Sequence, residues 1–71
     1  MSALTREGIE VKVGQVWRDL DKRVKRTVTV QSVHTDATHP YAIVKSSFGP
    51  VSRIRIDRMH KHAQGFALVE D

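Results

Sequence analysis

The side chains best equipped for chemistry in this chain are cations, and they fall into two blocks. Residues 18–26, RDLDKRVKR, hold Arg18, Lys22, Arg23, Lys25 and Arg26 against Asp19 and Asp21, a local charge of +3. Residues 53–62, RIRIDRMHKH, hold Arg53, Arg55, Arg58 and Lys61 against Asp57, again +3. The 71-residue chain carries +4 in all, so the remaining residues sum to −2. Cations gathered this way suit an anionic polymer. Arg53 and Arg55 alternate with Ile54 and Ile56, which puts both guanidiniums on one side of a strand, about 7 Å apart. Successive phosphates of a nucleic-acid strand have a similar spacing. Two cations so placed can neutralise two phosphates and release their counterions. The guanidinium fork also matches phosphate oxygens bidentately. The competing use is structural: Asp19, Asp21 and Asp57 pair with these arginines and tie loop to strand, at about 0–1 kcal/mol per exposed pair. The cations outnumber the acids, so pairing alone leaves an excess of positive charge.

Other chemistries are weaker. Trp17, Tyr41, Phe48 and Phe66 are the four aromatics. Single-strand binders stack bases on aromatic platforms beside basic grooves. Tyr41, after Pro40, and Phe48, in a turn, are the stacking candidates. Phe66 reads as core, and Trp17 as a cover over one end of the fold. Four aromatics make a thin stacking groove, which favours backbone or duplex contact over base reading. His60 and His62 form an H-x-H pair, and His34 and His39 flank a loop. Imidazole is a zinc ligand, but there is no cysteine and no acid set as a third ligand, so no metal or other cofactor is expected. Solvated histidines would add charge below about pH 6.5. Ser32, Ser46, Ser47 and Ser52 lack His–Asp partners at a telling spacing. No glycine-rich phosphate loop and no carboxylate dyad occur. A domain this small has little room for a pocket unless copies assemble, so no catalytic residue and no enzyme are expected.

Five short strands must position these groups. Ile9–Val13 alternates strictly, breaks at Gly14 and resumes over 15–17, which predicts a first strand bent at the glycine. The block 18–26 then reads as an arm-like loop, with Asp19 and Asp21 favouring turns. Thr27–His34 is rich in β-branched residues, and Val33 falls out of phase with Val28 and Val30, which predicts a bulge or sharp bend. Thr35–Pro40 is a loop, Tyr41–Ser47 a third strand, Phe48–Pro50 a tight turn and Val51–Asp57 a fourth strand. Residues 58–65 hold one short helical turn with Met59 tucked beneath and Gly65 ending it. Phe66–Glu70 is a fifth strand that pairs back onto the first. No apolar stripe of helical period runs for three turns. The expected fold is all-β, a five-stranded SH3-like small barrel with one short helical turn before the last strand. Residues 1–8 are expected as a flexible arm and 9–71 as one domain. The expected core is Val13, Val16, Val28, Val30, Ala42, Val44, Ile54, Ile56, Met59, Phe66 and Leu68. A domain of this size buries only about 60–65% of its unfolded surface, which leaves a thin stability margin. No stretch approaches the roughly 20 apolar residues of a membrane span, and the N-terminus has no apolar signal region, so a soluble cytoplasmic protein is expected.

Two stretches together resemble a known group. GQVWRDLDKRVKRTVTV (14–30) shows the pattern G-x-V-W-x-D-x-D-x-R-x-x-R-x-x-x-V. SRIRIDRMHKHAQGFALVED (52–71) shows R-I-R-x-D-R followed by G-aromatic-x-L-V. Both resemble short uncharacterised proteins of bacterial and phage genomes, over about three quarters of the chain. That resemblance implies no particular activity. A looser likeness to KOW-like and other SH3-like barrels implies binding to RNA, DNA or protein, although the glycine-centred KOW signature is missing.

The expected function is nucleic-acid binding, DNA or RNA, through backbone contacts from one cationic face. Arg53, Arg55, Arg58 and Lys61 would act with Arg18, Lys22, Arg23, Lys25 and Arg26. The rival is a phage-encoded inhibitor or adaptor that docks on an acidic surface of a host protein. Tyr41 and Ile43 would offer an apolar face for that partner or for a homodimer.

Overall fold

Alternation and β-branching set the strands. In the computed structural model, which describes residues 3–23, 25–36, 38–60 and 65–70, the strands are β1 (Val16–Asp19), β2 (Thr27–His34), β3 (Tyr41–Ser46), β4 (Val51–Arg55) and β5 (Phe66–Glu70). The protein is all-β: the five strands form one antiparallel sheet in the order β4-β3-β2-β1-β5. β5 pairs back onto β1, as its sequence position suggested. The ladder runs from β4 to β5 without closing on itself, so both are edges. Among the described residues no helix is long and apolar enough to cross a membrane.

One face of the sheet is buried. Trp17, Val28, Val30, Ala42, Val44, Ile54 and Phe66 supply it, and Ala3, Val11, Ile56 and Met59 pack in from outside the ladder. Val30 pairs with Val44, but Ser32 pairs with Ile43, so Gln31 is the extra residue of a bulge. The bulge resets the phase and turns Val33 back toward the core, where it packs half-buried. This is the bend that the misplaced valine demanded.

The first strand starts later than its alternation suggests. Residues 9–13 join no ladder; a single bridge links Leu4 with Glu10. The cause is a turn at Lys12–Gln15, closed by Gln15 N–H donating to the Lys12 carbonyl at 3.3 Å, with Gly14 at φ +93°. That left-handed conformation suits glycine. The turn exposes Val13 to 66%, so Val13 is not core. It also turns Gln15 and Trp17 inward and leaves Val16 half-buried on the other face. Leu68 is likewise only half-buried, at the rim of the core. Trp17 is fully buried at the centre of the core rather than a cover at its end. Its indole N–H donates to Gln15 Oε1 at 3.2 Å, and the same oxygen accepts the Lys12 N–H at 2.8 Å. Gln15 Nε2 donates to the Glu10 carbonyl at 2.8 Å. One buried amide therefore ties the turn, the strand and the tryptophan together.

Residues 3–8 fall in the stretch read as an arm. There Ala3 and Thr5 are buried, Thr5 N–H donates to the Ile9 carbonyl at 2.9 Å, and Val11 N–H donates to the Ala3 carbonyl at 2.9 Å.

β3 and β4 are joined by the four residues 47–50, in which Gly49 has φ +109° and its N–H donates to the Ser46 carbonyl at 2.9 Å. β4 stops at Arg55, and a 3-10 turn spans Ile56–Arg58. The helical turn thus begins two residues before the 58–65 window and takes in the end of the expected fourth strand. Met59 is fully buried beneath it.

Candidate nucleic-acid interface

The first basic block is a loop organised by its own acids. Asp19, at the end of β1, accepts from Asp21 N–H at 2.9 Å and from Arg26 Nε at 3.0 Å, which clamps the loop base. The Asp19 side chain is only 8% exposed and Arg26 26%, so this pair is partly shielded from water. Asp21 in turn accepts Arg23 N–H at 3.0 Å and the Arg23 guanidinium at 3.3 Å. The bond from Arg23 N–H, helped by the Arg23 guanidinium, holds the Asp21 carboxyl below its ordinary range, and Asp21 pushes the Arg23 guanidinium up. Arg23 and Arg26 are thus the members of this block with acidic partners. Arg18, Lys22, Lys25 and Arg26 line an open cleft of about 480 Å³ together with Asp19, Asp21, Thr27 and Ser47.

The second block lies elsewhere. Arg53 and Arg55 both point out from β4, as the alternation required. Arg53 pairs with Ile43 and Arg55 with Tyr41, which pairs with His34 at the end of β2. Arg18 pairs with Thr27, at the start of β2. The two blocks therefore flank opposite ends of β2, about 20 Å apart along the strand. They do not form one compact cluster. Arg55 Nη2 donates to Asp57 Oδ2 at 2.6 Å, and Arg58 is exposed in the 3-10 turn. Lys61 and His62 lie outside the described residues.

Between the blocks stands Lys45, which sequence reasoning passed over. It is exposed on β3 and pairs with Val51 on one side and Thr29 on the other. Residues paired across a sheet share a face. The unburied face therefore carries Arg18 on β1, Lys45 on β3 and Arg53 and Arg55 on β4, each further along the strands than the last. With strands about 4.8 Å apart and residues about 3.3 Å apart, this diagonal is about 25 Å long. Among the described residues, no acid is within ion-pair distance of Arg18, Lys45 or Arg53. Among the described residues, Glu70 stands opposite Val16 at the β5 edge, Asp57 is bonded to Arg55, and Asp19 and Asp21 share the cleft with Arg18. The signal for Lys45 was present in the sequence: it shares the phase of Tyr41 and Ile43. Its place midway between the arginine blocks follows only from the order of the strands.

The aromatic candidates differ from each other. Tyr41 is half-buried, stacked on His34 at 4.8 Å between centroids, with the Arg53 guanidinium carbon 5.3 Å from its ring centroid. Ile43 beside it is also half-buried, so the pair is no open apolar face. Phe48 is 68% exposed at the tip of the β3–β4 turn, next to Ser47 of the cleft.

No family model, curated protein or solved structure matches this chain. Its function is therefore read from its own surface.

Proposed function

We propose that this protein binds nucleic acid through the phosphate backbone, along the cation diagonal of the open sheet face. The observation that carries the reading is the row of Arg18, Lys45 and Arg53, exposed and without acidic partners among the described residues. Lys22 and Lys25 extend it at the cleft, Arg55 ends it on β4, and Arg58 lies beyond in the 3-10 turn. Arg23 and Arg26 brace the loop and contribute field more than contact. A salt-bridged structural surface would have used these cations up; among the described residues the pairing is confined to Asp19, Asp21 and Asp57. We also infer that the sheet curls into an SH3-like barrel. The bulges in β2 and β1 support this, since each sharpens the bend of its strand.

The test is salt dependence. Each neutralised phosphate adds about −0.7 (single strand) or −0.9 (duplex) to the slope of log K against log salt. A Lys45→Ala/Arg53→Ala variant should flatten the slope by about 1.4–1.8 and weaken binding alike for all sequences. A variant that folds normally and keeps both affinity and slope refutes the assignment.

A further inference from the structure

Resting on that reading, we infer that the preferred ligand is an unpaired strand rather than a duplex, lying across about four nucleotides of the diagonal with a base stacked on Phe48. Three observations support this. First, the cations lie across a broad sheet face, not on a protruding helix or ribbon, the shapes that the major groove admits. Among the described residues the helical structure is a three-residue 3-10 turn. Second, the diagonal is about 25 Å long by strand geometry. An extended single strand sets its phosphates roughly 6–7 Å apart, so about four nucleotides cover it, within the range of small single-strand sites.

Third, an exposed aromatic residue stands near the cleft end of the cations. Phe48 follows Ser47 at the cleft, where Arg18 begins the diagonal. Phe48 is 68% exposed in a protein whose other phenylalanine is 7% exposed. Tyr41, in the far row with Arg55, is already stacked on His34 with Arg53 over its ring, which leaves Phe48 as the platform. A duplex hides its base faces and cannot use that ring. A single strand presents π-faces that stack on any aromatic, with little regard for sequence. Phe48 is free to serve as that platform because the turn is held by backbone bonds and by Ser46 Oγ, which accepts the Phe48 N–H at 3.1 Å. The ring itself is not needed to form the hairpin.

The experiment is fluorescence anisotropy at low salt with the full chain and four probes: labelled dT12, rU12, a 12-base-pair DNA duplex and dT oligomers of two to eight nucleotides. The expected result is binding of dT12, rU12 or both at least tenfold tighter than duplex. Affinity should rise steeply with length up to about four nucleotides and only slowly beyond. Phe48→Ala should weaken single-strand binding about 5- to 150-fold, the range of one lost stacked base, and leave duplex binding unchanged. The dT12 and rU12 arms show which sugar is preferred. Duplex binding equal to or tighter than both single strands overturns the inference while leaving the backbone reading intact. So does an unchanged affinity in folded Phe48→Ala. Failure of all probes to bind at low salt overturns both.

Discussion

Gln15→Leu is the most informative single perturbation of this fold. It removes the acceptor of two N–H groups and the donor to one carbonyl. Trp17 is fully buried, so its orphaned indole N–H has no route to water, at a cost of about 1–3 kcal/mol. The Lys12 N–H and Glu10 carbonyl belong to exposed residues and lose about 0.5–1.5 kcal/mol each. The expected loss is therefore about 2–6 kcal/mol. At roughly 0.05–0.15 kcal/mol per residue a chain of this length has only about 4–10 kcal/mol to lose. Urea unfolding followed by tryptophan fluorescence reads the change, since Trp17 is itself the probe. A shift in midpoint of about 2 M or more is expected for a domain this small. Gln15→Glu separates the roles of the two amide ends. It keeps the acceptor for Trp17 but sets an oxygen against the Glu10 carbonyl. Burial pushes such a carboxyl up, and its protonated form can donate as the amide did. The variant should therefore be most stable at acid pH and lose stability as pH rises above about 4.3, through the raised folded value. A loss below 1 kcal/mol for Gln15→Leu would show that the indole is satisfied in some other way, and no pH trend in Gln15→Glu would show that the Glu10 carbonyl does not depend on this donor.

Other substitutions probe the joints around the site. Gly65→Ala should unfold the chain at 37 °C or lower its melting temperature sharply, because a Cβ there would collide with the His60 carbonyl and come within 2.7 Å of His60 Nδ1; a thermal melt within 2 °C of the parent would contradict this. Arg26→Ala strips the shielded Asp19 of its charge-assisted bond and should cost about 1.5–3 kcal/mol by chemical denaturation, with the loop becoming more open to protease. Asp21→Asn removes a carboxyl whose value is lowered in the folded state. Its contribution is complete above the ordinary carboxylate range near 3.8 and fades as pH falls through the lowered folded value. Melting temperatures of parent and Asp21→Asn should accordingly differ at pH 5 and converge toward pH 2; a constant gap would mean that the carboxyl is not what braces the loop.

Much of this protein was open to inspection in one dimension. Period-two alternation marks β4, so Arg53 and Arg55 had to share a face once Ile54 was buried. The phase slip at Val33 called for a bulge or a sharp bend, and register decided for the bulge, which returns the valine to the core. The Asp-x-Asp-x-Arg spacing held the loop bonds of Asp19, Asp21 and Arg23, all of which join near neighbours. What alternation could not reveal was where a strand begins. Ile9, Val11 and Val13 alternate well, yet the Gln15 side chain captures Lys12 N–H, makes a turn and exposes Val13. That bond competes locally with strand pairing, and a count of apolar residues does not register it. Nor could charge counting reveal whether two basic blocks meet. Local sequence determined which side chains point out of each strand, since that follows from backbone pleat. Only strand order and register decided that the blocks sit at opposite ends of β2 with Lys45 between them, because distances across a sheet depend on which segments share hydrogen bonds.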